Sequence, residues 1–364
     1  MPSKFRVIDT GLREGRFNIA FDKAMIEAHQ AGNIPDTIRF LRFPPTALIG
    51  RHQVLSREIN LETCRKKNIG IARRITGGGA IYFDEKQLGW ELVFHRQSLG
   101  ITDLGELAKS ICEAAALGLS QLGINAQFRP RNDIEVDGRK LCGTGGFFDG
   151  DTLFYQGTLL IDLNPDDMFS AIKVPKAKLE KRNLETGSQR VVTLWELLGD
   201  NTPDVATLQS CLLDGFKKGL KINCVSGDVT KIEDQLAREF YTKQIGTDAF
   251  VAEIDEAEDR AQILEGSHTS FGGTITAQLR LTGAQRDRIQ DIVFSGDFFV
   301  TPTRILFDLE ANLRGMHLED VDQAVINFFN DTSADVLSAS PEDFCAALKA
   351  ALSPAAPQIT SQAP

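Results

Sequence analysis

From Thr37 to Phe43 the chain reads TIRFLRF, apolar and polar residues in alternation, the pattern of a half-buried strand whose successive side chains point to opposite faces. QLGWELVF (87–94) and LFYQGTLLIDL (153–163) predict two further strands. Between them the period changes. Asp103 followed by Glu106 forms a capping pair, after which Leu104, Leu107, Ala108, Ile111, Ala115, Leu119 and Leu122 share one helical face until Gly123 ends it. IEV-DG-RKL (134–141) is two short β-type runs around Asp137-Gly138, the pair that favours a two-residue type I′ hairpin turn. Lys140 therefore falls on the return strand, and Cys142, two residues on, is expected on the same face. Downstream, TITAQLRL (274–281) and IQDIVFS (289–295) predict strands and Leu318–Phe329 a helix. Regular βαβ alternation is absent, so the fold class expected is α+β with mixed or antiparallel sheets.

At 364 residues, 42% hydrophobic, the chain is long enough for two domains with real cores. Its net charge of −10 is unevenly spread: residues 246–364 hold 7 Lys+Arg against 19 Asp+Glu, so that part alone is −12. A separate, well-solvated acidic domain is the reading, and it argues against a nucleic-acid partner there. No apolar run is long enough to span a bilayer and the first residues lack an apolar leader core, so a cytoplasmic protein without a membrane partner is expected. The six cysteines (64, 112, 142, 211, 224 and 345) include no C-x-x-C pair and the histidines are scattered, which argues against a structural metal or a disulfide framework. Pro, Ala, Ser and Gln dominate the tail from Leu352, which is expected to be disordered.

Candidate chemistry concentrates in two segments. In Arg73-Arg74-Ile75-Thr76-Gly77-Gly78-Gly79-Ala80-Ile81-Tyr82-Phe83-Asp84, glycines let backbone N–H groups approach an anion and arginines add charge-assisted bonds. A glycine-rich turn flanked by solvated arginines is the competing reading. No G-K-[ST] follows, which excludes a Walker loop. The second segment runs from Arg131-Asn132-Asp133 through the hairpin to Lys140-Leu141-Cys142-Gly143-Thr144-Gly145-Gly146. A lysine beside such a loop can stabilise charge on a phosphoryl or acyl oxygen, or it is simply a hairpin surface charge.

The order of these segments resembles that of lipoate–protein ligases of the biotin/lipoate ligase superfamily: ALIGRHQ (47–53), ARRITGGGAIYFD (72–84), RND (131–133), GRKLCGTGG (138–146), QGTLLIDL (156–163), KAKLEKRNL (176–184), RVVTLWELL (190–198) and SGDFF (295–299). The resemblance runs from about Arg16 to Phe329 and implies a ligase-like catalytic domain over 1–247, a smaller α/β accessory domain over 248–350 and the tail 351–364. It further implies ATP-dependent activation of lipoate or octanoate to an acyl-adenylate and transfer to an acceptor lysine. Lipoate would lie beside the Gly77–Gly79 loop. Arg74 and the Gly79-Ala80-Ile81-Tyr82 backbone would hold the nucleotide, with Gly77 and Gly78 in the same loop. Asn132 and Asp133 would sit near phosphate and Mg²⁺, Lys140 would contact acyl carbonyl and phosphate, and Gly157 and Thr158 would border the pocket. Acceptors implied are an E2 lipoyl domain, a glycine-cleavage H-like protein or a dedicated lipoate-binding protein. Such acceptors tend to be acidic, which makes Lys173, Lys176, Lys178, Lys181, Arg182 and Arg190 a candidate docking stretch. The accessory domain would rotate between adenylation and transfer.

Three departures stand out: Phe83 and Gln156 where many such ligases carry histidine, and Cys142 where serine is usual. Two other readings compete. An octanoyl transferase of the same superfamily works through a cysteine thioester, but 113–139 and 143–210 contain no cysteine, leaving only Cys142 nearby. A non-catalytic lipoyl- or nucleotide-binding regulator would have to have kept Lys140, Asn132, Asp133 and the glycine loop without turnover.

Overall fold

Ile19, Ala20, Phe21, Ala24, Met25, Ile26 and Ala28 carry one side of the helix Gly15–Gln30 into the interior, and the Glu14 carboxylate caps it by accepting from the Phe17 N–H at 2.8 Å. This helix joins two parallel strands, β1 (Lys4–Leu12) and β2 (Thr37–Arg42). The computed structural model describes residues 2–101, 103–130, 132–173, 191–256, 263–332, 335–336, 338–353 and 358–359. Two compact units divide the chain, one of residues 1–49, 58–75 and 80–253, the other of residues 50–57, 76–79 and 254–364.

In the first unit β3 (Thr46–Ile49), β4 (Gly70–Arg73) and β5 (Ile81–Phe83) form a small sheet with β3 in the middle. The larger sheet adds β6 (Gln87–His95), β7 (Gln127–Arg129), β8 (Asp133–Val136), β9 (Arg139–Asp149), β10 (Thr152–Leu160) and β11 (Asn223–Ser226) in the order β11-β1-β2-β6-β10-β9-β8-β7. Pairing of β1 with β11 and β2 is parallel and the rest of this sheet is antiparallel, so the architecture is α+β with a mixed sheet. The helix Leu104–Ser120 starts where Asp103 accepts from the Glu106 N–H at 2.8 Å, and Gly123 follows with φ +82°.

One strand expectation fails. β2 was read as half-buried, yet Thr37 through Leu41 are all buried, and so is β6 up to Phe94. Both sheet faces are covered: Arg39 lies on Phe21 of the first helix at 4.5 Å, while Trp90 packs on Phe216 of the helix Val205–Gly219 at 5.3 Å on the opposite face. Polar residues in these strands therefore point into the molecule, not into water.

The second unit holds β12 (Ile263–Ser270), β13 (Gly273–Thr282), β14 (Arg288–Gly296), β15 (Val300–Thr301), β16 (Asp335–Val336) and β17 (Gln358–Ile359). β17 lies within the tail expected to be disordered; its two residues pair with Ile263 and Leu264. Phe294, Phe298, Phe329 and Phe344 form the aromatic centre of this unit, packed with the helices Ile305–Leu313, Val321–Asp331 and Pro341–Leu352.

Glu310 is buried there and accepts from the Phe294 N–H at 2.7 Å. Burial pushes its carboxyl up to about 7 from 4.5. The folded chain then binds more protons than the unfolded one between those values, so this group's contribution to stability falls as pH rises from 4.5 through about 7. Glu310→Gln keeps the acceptor and removes the titration. We expect it to match the parent in thermal unfolding near pH 4 and to exceed it by about 3 kcal/mol at pH 8. Parallel melting-temperature curves across that range would refute this.

Candidate active site

Asp137 and Gly138 both have positive φ, +51° and +77°, the geometry the two-residue turn requires, and they return the chain from β8 into β9. The register then slips. Asp133 pairs with Gly143 and Ile134 with Cys142, but Glu135 pairs with Lys140, so Leu141 is an extra residue in β9. This bulge overturns the expectation that Lys140 and Cys142 share a face. Leu141 and Cys142 are both fully buried, whereas the Lys140 side chain is 37% exposed and its amine ion-pairs with Asp133 at 2.7 Å. The ammonium lies over Gly143, where a Cβ would come within 2.6 Å of it.

Cross-strand partners share a face, so the register defines what lies beside this amine. One row across the sheet reads Asp133, Gly143, Thr158, Gly89 and Leu41. The adjacent row reads Gly145, Gln156, Glu91 and Arg39. The glycines leave this face low, and a cleft opens between it and the first helix, lined by Ile19 and Asp22 on the helix, by Arg74, and by Phe43, Leu48, Ile81 and Phe83 at an apolar end. Gly157 contributes backbone only, since the Trp90 ring lies across it from the other face.

Of the residues singled out from sequence, Arg74, Ile81, Gly157 and Thr158 line this cleft, and Lys140 and Asp133 stand on the same sheet face. Arg74 is 5% exposed, donates to the Leu48 carbonyl at 3.2 Å, and burial lowers its guanidinium to about 10. Tyr82 points away from Ile81 and is buried, which raises its phenol to about 12. The Asn132 carboxamide donates to the Thr144 carbonyl at 2.5 Å, while Thr144 Oγ1 donates back to the Asn132 carbonyl at 2.8 Å. Gly77 and Gly78 have a packing reason of their own within the second unit. Gly78 adopts φ +90° and its N–H donates to the Phe298 carbonyl at 3.2 Å, and a Cβ on Gly77 would overlap that same carbonyl. Gly79 and Ala80 complete the loop. Arg131, Lys176, Lys178, Lys181, Arg182 and Arg190 lie outside the described residues; Lys173 donates its N–H to the Glu58 carbonyl at 2.7 Å.

Two groups escaped the sequence reading. Thr144 Oγ1, Tyr155 OH and Cys112 Sγ form a buried triangle, with Thr144 and Tyr155 2.6 Å apart and Cys112 3.3 Å from each. More telling is Arg39, wholly buried, which donates to Asp22 at 2.7 Å, Glu91 at 3.1 Å, Asn18 at 2.6 Å and Thr10 at 2.9 Å. Burial pushes the Asp22 carboxyl up to about 6, and burial together with the Asp22 charge drives Glu91 well above the usual carboxylate range. A charged residue at an inward register position was the available signal, hidden by the assumption of a solvated face.

Residues 14–217, more than half of the chain, match the family described as the lipoyl protein ligase A/B catalytic domain. The chain belongs to this family. Among curated members, octanoyltransferase LipM of Moorella thermoacetica is 26% identical over 68% of this chain and 98% of its own length. Lipoate-protein ligase A subunit 1 of Thermoplasma acidophilum is 27% identical over 64% and 90%. Solved structures share the fold: the archaeal bi-partite lipoate protein ligase of T. acidophilum, described with its E2 lipoyl domain, has TM-score 0.62 at 24% identity over 70% of this chain and 99% of that one. A lipoate-protein ligase A bound with ATP gives 0.59 at 24%, over 70% and 100%. P. falciparum LipL1 in complex with lipoate gives 0.73 at 15% and extends over 96% of this chain and 100% of its own. As a member of the lipoyl ligase and octanoyltransferase family, the chain is an enzyme of protein lipoylation. No helix among the described residues is long and apolar enough to cross a membrane.

Proposed function

We propose that this chain activates lipoate or octanoate with ATP and transfers the acyl group to a lysine of a lipoyl-domain protein. The observation that carries the reading is the Lys140 ammonium, held by Asp133 over Gly143 at the edge of a cleft that has no exposed thiol beside it. A substrate carboxylate oxygen attacks the ATP α-phosphorus and pyrophosphate leaves. The neutral acceptor amine then attacks the acyl carbonyl, AMP leaves with the bridging oxygen, and the amine gives up its proton. Both steps build charge on oxygen, which a fixed ammonium offsets. No protein nucleophile is required.

Among the described residues no group of three or more His, Cys, Asp or Glu could hold a metal ion. Mg²⁺ characteristically takes one or two carboxylates and lets phosphates supply the rest, so Asp133 alone suits it when ATP is bound. The ion would neutralise phosphate charge. We assign the acyl chemistry to the first unit and an accessory role to the second.

The second reading is octanoyl transfer from acyl carrier protein, and the names of curated relatives such as LipM favour it. One observation favours the ligase. The cysteines beside the site are poor nucleophiles: Cys142 is fully buried with its thiol pushed far up by burial, and Cys112, likewise buried, is raised to about 11.

Cys142→Ser is accordingly expected to leave acyl transfer within about threefold of wild type, at a cost of about 1 kcal/mol for the buried hydroxyl. Pyrophosphate exchange into ATP should depend on free lipoate or octanoate. ATP-independent modification of a lipoyl domain from octanoyl-acyl carrier protein, abolished by Cys142→Ser with loss of a trappable thioester, would replace the ligase by the transferase.

A further inference from the structure

Thr144 follows Gly143 in β9, so its side chain leaves by the opposite face of the sheet, where it meets Tyr155 and Cys112. All three are buried, and the proposed chemistry uses none of them. Burial raises the Cys112 thiol to about 11 and the Tyr155 phenol well above its ordinary 10, so both keep their protons at neutral pH. Proton counting then gives the triangle a direction. Thr144 Oγ1 has one hydrogen, and it goes to the Asn132 carbonyl at 2.8 Å. The Tyr155 hydroxyl, 2.6 Å away, therefore donates to Thr144 Oγ1, and the chain of donors ends on Asn132. The same carbonyl accepts the Thr144 N–H at 2.8 Å, and the Asn132 carboxamide donates to the Thr144 carbonyl at 2.5 Å. Asp133 is the next residue. Its Oδ1 stands 2.7 Å from the Lys140 ammonium and, among the described residues, has no other partner. Its direction is therefore set from the backbone that Thr144 grips.

We propose that Thr144 is a positioning residue for acyl-adenylate formation: its buried hydroxyl, backed by Tyr155, fixes the Asn132 peptide and through it aims the Asp133 carboxylate that holds the Lys140 ammonium over Gly143. The cleft's cation is thus preorganised from the far side of the sheet, where packing holds the hydroxyl still. An ammonium left to swing would have to be ordered as charge develops, and that costs rate more than substrate binding. A methyl in place of the hydroxyl keeps the volume of Thr144, leaves the Asn132 carbonyl with the N–H alone and takes away the oxygen to which Tyr155 donates.

This inference rests on the reading of Lys140 as the group that offsets charge, and a double-mutant cycle keeps the two apart. Acyl-adenylate formation from ATP and lipoate is followed in single turnovers of the full-length chain, with circular dichroism and thermal melting for the fold. Thr144→Val is expected to lower the rate by about tenfold, the most that one hydrogen bond carries, while lipoate affinity changes by less than about twofold. Thr144→Ser, which keeps the hydroxyl, should hold the rate within about threefold of wild type. In the Lys140→Ala background Thr144→Val should slow the reaction no further, although it lowers the melting temperature equally in both backgrounds. A merely structural role would cost rate in both. An unaltered rate in a folded Thr144→Val, equal losses in the two backgrounds, or no recovery with serine overturns the inference and leaves ligase chemistry standing. If Thr144→Val does not fold, Tyr155→Phe takes its place: a loss of about threefold confined to the chain that has Lys140 supports the inference, and a silent change overturns it. Lys140→Ala as active as wild type, or no adenylate from wild type at all, removes the functional reading and the inference together.

Discussion

Lys140→Ala is expected to lower the rate of acyl-adenylate formation and of lipoyl-domain modification by about a hundredfold or more, with little change in stability. The ammonium touches Asp133 and overlies a glycine, so its loss removes a cation where phosphate and acyl oxygens would gather, and a transition-state contact of that kind is worth roughly 3–4 kcal/mol. The side chain is more than a third exposed and its ion pair lies at the surface end of the cleft, so the fold should lose about 1 kcal/mol or less. Lys140→Arg should rescue little, because a planar guanidinium does not replace a point charge held this close to the backbone. Single-turnover assays of each half-reaction, with circular dichroism for the fold, read the result. An active Lys140→Ala would remove the central element of the mechanism.

Arg39→Ala should act in the opposite way, striking the fold first. It leaves Asp22 and Glu91 buried beside each other with no counter-charge, and breaking a buried ionic group by removing one partner costs about 3–5 kcal/mol. In a unit of this size that corresponds to a fall in melting temperature of roughly 6–20 °C. The loss should ease at acid pH: Asp22, already raised to about 6 in the intact protein, takes up a proton and removes the unpaired buried charge. Exchanging all three members for apolar residues should recover most of the stability. A melting temperature that Arg39→Ala leaves unchanged would mean that water enters the cluster and solvates it.

Much of this was open to the sequence because it depends on local chemistry. The Asp103 cap and the heptad-like apolar face specify the helix Leu104–Ser120 without help from the rest of the chain, and Asp137-Gly138 specifies its turn because few residue pairs tolerate two positive φ angles. Lys140, Asp133, Arg74 and Thr158 were identified from motif order; Arg74 and Thr158 line the cleft, and Lys140 and Asp133 stand on the same sheet face as Thr158. Three things only the tertiary structure decided. Which faces of β2 and β6 meet water depends on helices far away in sequence, so the inward course of Arg39 and Glu91 could not be read from alternation. The bulge at Leu141 is a property of strand pairing, and it alone sends Lys140 to the cleft and Cys142 into the core. The reason for Gly77 is likewise non-local, a carbonyl at Phe298 that only a residue without a side chain can approach. Sequence fixes what each residue can do within a turn or two of itself; burial, register and close approach belong to contacts between distant segments, because they are set by what arrives from elsewhere to exclude water.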